Sequence, residues 1–193
     1  MKKLFLLGLT VLTIKLSSAQ VLFGIRGGLN ISNSSWTYGG MSDSDKKAAR
    51  FHIGGLAEIP VSESFFVQPE LLLNQYGGKE DNQDDRITML SLPLLAKFKA
   101  SAFSFYAGPQ YDLLLSAKYF VSGSTIDATE YFRKHLLSGT LGAEYTFEGG
   151  VSIGARYQKS LANAVGDDFY LTGYKATYNT ISISATYMFG NRD

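Results

Sequence analysis

Residues 180–189 read TISISATYMF, and this stretch decides the fold class. Apolar and aromatic side chains take every second position, and hydroxyl side chains take most of the positions between them. Because side chains of a β-strand point alternately to opposite faces, this period of two predicts a strand with one apolar face and one polar face. An amphipathic helix would instead repeat its apolar positions every three to four residues.

The same alternation recurs seven times upstream of this stretch. The eight predicted strands cover residues 21–32, 51–61, 65–76, 87–99, 103–117, 136–147, 151–158 and 180–189. None of the eight apolar faces carries an Asp, Glu, Lys or Arg residue. An even number of consecutive strands of this kind predicts an all-β fold, an eight-stranded antiparallel up-and-down β-barrel.

The connections between the predicted strands alternate in length. Four are long and polar, and three are tight turns: the long ones are 33–50, 77–86, 118–135 and 161–177, and the short ones are 62–64, 100–102 and 148–150. This alternation is typical of transmembrane barrels of the bacterial outer membrane, which have short periplasmic turns and longer outer loops. It predicts that the N- and C-termini both lie in the periplasm.

The first nineteen residues have the pattern of a secretory signal peptide. A basic start at Met1, Lys2 and Lys3 precedes an apolar stretch at 4–14 and small residues at 17–19. The sequence therefore predicts a signal peptide at 1–19 and a barrel domain at 20–193. Cleavage would remove three lysines and leave 15 basic against 17 acidic residues, which changes the formal net charge from +1 to −2.

The composition of the 193 residues excludes several classes of protein. The chain has no cysteine, 18% charged residues and 13% aromatic residues. These values argue against a disulfide scaffold, a zinc finger and a disordered chain. A net charge close to zero also gives no indication of a nucleic-acid partner.

The polar faces of the predicted strands carry seven charged residues, three basic and four acidic. They are Arg26, Glu58, Glu70, Lys97, Asp112, Glu144 and Arg156. The bore of an eight-stranded barrel is just wide enough for side chains. We therefore expect a closed polar lumen in which these residues pair, because isolated buried charges are costly. A proton or ion path through the lumen remains an alternative.

Nine aromatic residues lie on the apolar faces, close to the ends assigned to the periplasm. They are Phe23, Phe65, Phe98, Phe103, Phe105, Tyr145, Phe147, Tyr187 and Phe189. Such a band predicts an aromatic girdle at one membrane interface. The alternative is a soluble exported barrel of the lipocalin kind, with these side chains in its core and a ligand inside.

Five short motifs resemble the PorT-like outer-membrane β-barrel family over essentially the whole mature chain. They are Gly24-x-Arg26-x-Gly28-x-Asn30-x-Ser32, Ala57-Glu58-Ile59-Pro60, Gln68-Pro69-Glu70-Leu71-Leu72, Leu92-Pro93-Leu94-Leu95 and Ala107-Gly108-Pro109. The resemblance implies an outer-membrane barrel of Gram-negative bacteria, with some relatives linked to protein secretion. It supplies no catalytic residues. The chain differs from the wider pattern in that Phe189 is followed by four further residues.

The sequence offers little support for an enzyme, and we expect none, with no catalytic, cofactor or metal site. The histidines are His52 and His135, and Ser138 lies three residues after the second. A lipid A-modifying enzyme would need a nucleophile beside a base, so this pair remains the alternative to test. The acidic stretch 79–85 is expected to be a solvated loop, and binding of divalent cations beside lipopolysaccharide is the alternative.

The long loops are expected to carry the specific function of the protein. Aromatic residues in two of them could form an outer girdle or bind a protein or glycan partner: Trp36, Tyr38, Tyr119, Phe120, Tyr131 and Phe132. The other expected partners are outer-membrane lipid and lipopolysaccharide. Three prolines, Pro69, Pro93 and Pro109, fall inside predicted strands, where bulges or water-bonded carbonyls are expected because proline donates no hydrogen bond.

Overall fold

The structure is a computed structural model, and it describes residues 20–38, 41–44, 47–80, 83–121, 123–161, 163–164 and 175–190. The predicted signal peptide at 1–19 lies outside the described residues. Across the described ranges, no helix has the length and apolar character needed to cross a membrane.

Eleven strands account for most of the described chain. In order they are β1 (Leu22–Tyr38), β2 (Met41–Ser44), β3 (Ala48–Pro60), β4 (Phe65–Tyr76), β5 (Lys79–Glu80), β6 (Gln83–Ala100), β7 (Phe103–Val121), β8 (Ser124–Asp127), β9 (His135–Thr146), β10 (Val151–Ser160) and β11 (Lys175–Phe189). A short 3₁₀ turn at Thr129–Tyr131 follows β8.

Eight of these strands form a closed antiparallel ring. Around the barrel the order is β1, β3, β4, β6, β7, β9, β10 and β11. The ring closes between β1 and β11, whose register runs from Phe23 opposite Phe189 to Thr37 opposite Lys175. The predicted eight-stranded up-and-down barrel is confirmed.

Several ring strands are longer than predicted, and all of them extend at the end that carries the long connections. β1 continues from residue 32 to Tyr38, paired with β11, and β2 pairs with this extension. β5 and β8 likewise pair with the extended ends of β6 and β7. The extensions no longer alternate apolar with polar residues, so the period of two disappears from the sequence although the backbone pairing continues.

The apolar faces of the ring point outward and the polar faces point inward. Leu141 is 57% exposed and Ile183 is 55% exposed, whereas Arg26 is 1% exposed. A soluble barrel would bury the apolar side chains and expose the charged ones. The soluble lipocalin-like alternative is therefore wrong for this chain.

The nine aromatic residues of the predicted girdle all lie on the outer wall near the short-turn end. Each of them is between 40% and 62% exposed. Neighbouring rings touch across strands, with centroids 5.0 Å apart for Phe65 and Phe98 and 5.1 Å apart for Phe103 and Tyr145. That this band marks a membrane interface stays a prediction.

The three prolines interrupt the ladders of adjacent strands without shifting their register. Pro69 pairs with Leu94 on β6, and the next pair along these two strands is Leu72 with Ser91 in the same register. Within the described residues the register shift lies elsewhere, at Thr88 and Met89 between β6 and β7. The described pairs therefore show no bulge at the prolines, and the other expectation, water-bonded carbonyls in the neighbouring strands, stays a prediction. Proline removes a donor, but the regular pairs on both sides hold the strands in phase.

Candidate functional site in the barrel lumen

The lumen near the short-turn end contains a chain of ion pairs that begins at Lys99. The Lys99 Nζ atom lies 2.6 Å from Glu58 Oε1. The other oxygen of Glu58 lies 2.9 Å from the Lys97 Nζ atom, which also contacts Glu144. The sign of the charge thus alternates from one residue of the chain to the next, from the mouth of the barrel inward.

The chain continues across the bore through two arginines. Arg26 Nη2 donates to Glu144 Oε2 over 2.8 Å, and Arg26 Nη1 lies 3.8 Å from Glu70 Oε1. Arg156 then donates two hydrogen bonds of 2.8 Å to the two oxygens of Glu70. Paired, two-bond contacts of this kind are the strongest that arginine makes with a carboxylate.

Tyr106 and Gln68 complete this cluster. The carbon at the centre of the Arg26 guanidinium lies 5.4 Å from the centre of the Tyr106 ring, and the corresponding distance for Arg156 is 5.1 Å. Arg26 also donates to the Tyr106 hydroxyl over 3.2 Å. Gln68 donates to Glu70 over 2.6 Å and accepts from Lys97 over 3.1 Å. A tyrosine ring is a favourable partner for two cations because its face is negative.

Gly142 makes room for the tyrosine ring. A Cβ atom at Gly142 would lie 2.7 Å from two carbons of the Tyr106 ring, which is closer than such atoms approach. The absence of a side chain at Gly142 on β9 therefore lets the ring of Tyr106 on β7 lie directly against the β9 backbone. The sequence pattern alone does not reveal this pairing of a glycine with a large residue.

Asp112 does not belong to the ion-pair chain. Its carboxylate contacts Ser91 and accepts hydrogen bonds from Ser138 over 2.8 Å and from Gln110 over 2.7 Å. Among the described residues, no basic side chain lies at ion-pair distance from it. Of the seven predicted lumen charges, the structure joins six and places Asp112 apart, whereas Lys99 is a further member that the sequence analysis missed.

Amide and hydroxyl side chains fill the next layer of the lumen. Gln158 and Thr140 both donate to the Gln110 side-chain oxygen, over 2.9 Å and 3.0 Å. Asn30 donates to Asn74 over 3.1 Å and accepts from Ser182 over 2.7 Å. A cavity of about 20 Å³ beside this layer has room for about one water molecule. This layer of the lumen is therefore filled by its own side chains.

An apolar cluster closes the lumen at the long-loop end, and we call it the cap. Its buried members are Tyr76, Ile87, Met89, Leu114, Ala117, Ala128, Phe132, Leu136, Ala164 and Tyr178. The segment after β8 contributes Ala128 and Phe132, and Tyr119 and Tyr131 pack against the cluster. Of the loop aromatics expected to form an outer girdle or bind a partner, Phe132 is buried in the cap, and Tyr119 and Tyr131 are half-buried against it. Binding of a partner by the long loops stays a prediction. The side chains of Trp36 and Tyr38 lie outside those described.

Asp84 joins two arginines on the outside of the barrel, where β6 extends beyond the apolar band. It contacts Arg50, and it accepts hydrogen bonds of 3.0 Å and 2.8 Å from Arg86, whose guanidinium lies 4.6 Å from the Phe120 ring centre. Partial burial alone would raise the pKa of Asp84, but the hydrogen bonds from Arg86 and Arg50 outweigh it and hold that pKa below its usual value.

The acidic stretch 79–85 is only partly described, because residues 81 and 82 fall outside the described ranges. Asp84, near the end of this stretch, forms ion pairs with Arg50 and Arg86. Within the described residues, no three His, Cys, Asp or Glu side chains are grouped in a way that could hold a metal ion.

The two histidines lie on opposite faces of the wall. His52 is buried in the lumen, whereas His135 points outward, where its Nδ1 atom lies 2.6 Å from the Tyr111 hydroxyl. Ser138 points inward to Asp112. A base cannot activate a hydroxyl on the other side of a sheet, so His135 and Ser138 do not form a catalytic pair.

Comparison with solved structures identifies other membrane barrels of the same fold. The attachment invasion locus protein Ail of Yersinia pestis is 17% identical, with a TM-score of 0.51 over 88% of this chain and 97% of that chain. Neisserial surface protein A is 14% identical, with a TM-score of 0.56 over 86% of this chain and 97% of that chain. A major outer membrane protein of Thermus thermophilus is 12% identical, with a TM-score of 0.50 over 88% of this chain and 99% of that chain.

The comparison with curated protein sequences returns no significant match. The model of the family described as "outer membrane protein beta-barrel domain" matches residues 17–166, which is most of the chain. This match agrees with the closed ring, the outward apolar faces and the polar lumen. The chain belongs to the outer membrane protein β-barrel domain family, and it is a membrane protein of the bacterial outer membrane.

Proposed function

We propose that this protein is a closed outer-membrane barrel that conducts nothing and acts through its outer loops, in a structural, adhesive or secretion-accessory role. The observation that carries the proposal is the double obstruction of the lumen. The ion-pair chain from Lys99 to Arg156 crosses the bore in the short-turn half, and the cap closes the long-loop end. A solute would have to break several buried ion pairs and then cross an apolar plug.

The proposal places the short turns and both termini in the periplasm. Three short turns at one end and longer connections at the other support this orientation, because bacterial barrels place their longer loops outside. The β6–β7 extension with β5 and β8 then stands above the outer leaflet, where it is accessible to a protein or glycan.

The PorT-like relationship belongs to the same proposal. It rests on the five motifs quoted above, whose residues line the wall and the lumen on β1, β3, β4, β6 and β7. A role beside a secretion machinery agrees with a barrel whose own lumen is closed to solutes. Lipopolysaccharide around the outer wall is the further partner we propose.

We also propose that the protein is not an enzyme. The separation of His135 from Ser138 by the wall supports this, as does the engagement of Ser138 with Asp112. Lipid A modification would need a nucleophile and a base on the same outward surface.

The orientation on which the outer-loop role depends can be tested by cysteine labelling, because the natural chain has no cysteine. Single variants Ser124→Cys on β8 and Glu148→Cys in a short turn both alter exposed residues. On intact cells a membrane-impermeant maleimide should label Ser124→Cys, and it should label Glu148→Cys only after the outer membrane is opened. The reverse pattern would contradict the proposed function.

A further inference from the structure

The outer wall has a notch near the short-turn end, among aromatic residues of the predicted girdle. Ala96 on β6 and Ala107 on β7 are directly paired, and they give the notch its low centre. Phe65, Phe98, Phe105 and Leu141 stand around it. Its volume is about 390 Å³, within the range of about 300–1,000 Å³ for small-molecule pockets.

The floor of the notch is closed toward the lumen. Lys97 and Tyr106 contribute to its lining, yet each residue is only 3% exposed because its side chain points into the bore. The notch is therefore a recess of the lipid-facing wall and separate from the ion-pair chain. Its exposed lining is apolar, so it suits a hydrocarbon ligand.

The wall is irregular beside the notch. On the side toward the long loops, the β6–β7 pairing is interrupted between Ala96 and Pro93 on β6, opposite Gly108 and Pro109 on β7. Toward the long loops, Ala96 and Ala107 are followed on β7 by the outward residue Pro109, which also lacks a long side chain. A recess of this shape leaves its lining without packing partners unless another molecule fills it.

We propose that the notch holds one acyl chain of a phospholipid from the periplasmic leaflet. The recess is continuous with the surface that already faces lipid, and an acyl chain is the apolar molecule present there. Inside a membrane the affinity comes from van der Waals packing, since lipid tails are as apolar as the wall itself. The choice of leaflet rests on the proposed orientation, whereas the choice of an acyl chain rests on the notch alone.

The charges at the short-turn end indicate the class of headgroup. Glu63 lies two residues before Phe65 and is exposed, and Glu148 is exposed in another turn. The described short turns carry no Lys or Arg, and the nearby Lys99 is bound to Glu58 in the mouth of the barrel. A headgroup with an ammonium, as in phosphatidylethanolamine, fits these turns better than the anionic phosphatidylglycerol.

Native mass spectrometry of the refolded full barrel, released from nanodiscs of equal phosphatidylethanolamine and phosphatidylglycerol, tests this proposal. The double variant Ala96→Leu with Ala107→Leu fills the notch, and the matched control is Ala155→Leu with Ala185→Leu on the outward faces of β10 and β11. We expect retained lipid to fall roughly tenfold in the first variant and to stay unchanged in the control. Equal retention in all three proteins would overturn the proposal.

The variant Glu63→Gln tests the headgroup separately. It should keep the bound lipid and lose the excess of phosphatidylethanolamine over phosphatidylglycerol, whereas an unchanged excess would overturn the headgroup assignment.

If the filled variant does not fold, a phospholipid with a photoreactive acyl chain is applied to the natural chain. Crosslinks should concentrate on residues 96–98 and 105–107, and an even spread around the barrel would overturn the proposal. Cysteine labelling tests the orientation independently, so a failure of the acyl-chain proposal can be distinguished from a failure of the proposed function.

Discussion

At the scale of single residues, the lumen depends on the order in which its charges meet. From Lys99 through Glu58, Lys97, Glu144, Arg26 and Glu70 to Arg156, the sign of the charge alternates at every step. Buried ion pairs add little stability compared with well-packed apolar residues, but removing one partner leaves a charge that nothing compensates. The chain is therefore expected to be sensitive to any single truncation.

Truncation of Arg156 should weaken the folded barrel and should not open it. Arg156→Ala removes both hydrogen bonds to Glu70. The nearest cation left to that carboxylate is then Arg26, at 3.8 Å, and Gln68 remains as a neutral donor at 2.6 Å. We expect a loss of about 3 kcal/mol in the free energy of unfolding, measured by urea titration in detergent or lipid. The control is Arg86→Ala, whose half-exposed pair with Asp84 should be worth about 0–1 kcal/mol. Equal losses for both variants would contradict the assignment.

The sequence shows which face a residue occupies but not its height in the bore. Alternation placed Arg26, Lys97 and Asp112 on the polar faces, and all three are buried. Strands of a barrel are staggered, so residues from different strands reach the same level only according to the register. For this reason the separation of Asp112 and the inclusion of Lys99 could not be predicted without the pairing.

At the scale of elements, closure of the ring depends on close contact between β1 and β11. A Cβ atom at Gly28 would lie 2.1 Å from the Ile183 carbonyl oxygen, whereas at Gly27 the nearest heavy atom would be 3.6 Å away. Gly28→Ala should therefore destabilise the barrel by about 1–3 kcal/mol, and Gly27→Ala should be tolerated. Heat-modifiable migration on gels and the urea midpoint measure the difference. Similar midpoints for the two variants would show that this contact does not limit closure.

The extension of β6 should respond to acid through Asp84. Because its contacts with Arg50 and Arg86 favour the carboxylate, they stabilise the extension fully above about pH 4, and this contribution is lost as the pH falls through the lowered pKa. Hydrogen exchange of the amides at 83–86, corrected for intrinsic rates, should accelerate below that pH. In Asp84→Asn the corrected exchange should be fast at neutral pH already. An extension that is equally protected at about pH 7 and in acid strong enough to protonate Asp84 would contradict this role.

The number, direction and faces of the ring strands could be predicted because each crosses an apolar band that imposes a period of two. The ends of the strands could not be predicted, because β1, β6, β7 and β11 continue into sequence without the alternation, where pairing with a neighbour maintains the strand. The pairing around the prolines was not predictable either. Whether a missing donor at Pro69 or Pro93 shifts the register depends on the neighbouring pairs, which a single strand does not encode.

At the scale of the whole molecule, one wall separates two opposite environments. Apolar and aromatic residues face outward around the ring, and a mean hydropathy of −0.01 conceals them because the polar lumen balances the sum. The lumen then contains ion pairs at one end, amides in the middle and the cap at the other end. A closed polar lumen with paired charges was expected from the sequence, whereas the cap requires loop residues whose position only the structure shows.

Planar-bilayer recording of the purified, refolded barrel tests directly whether the lumen is closed by its own side chains. Insertion is verified by heat-modifiable migration of the same preparation. We expect no stable conductance steps from the natural chain under applied voltage, and no steps of regular size from Arg156→Ala. Reproducible channel currents from the natural chain, abolished or altered in size by Arg156→Ala, would contradict it, because they would require an open path along the ion-pair chain.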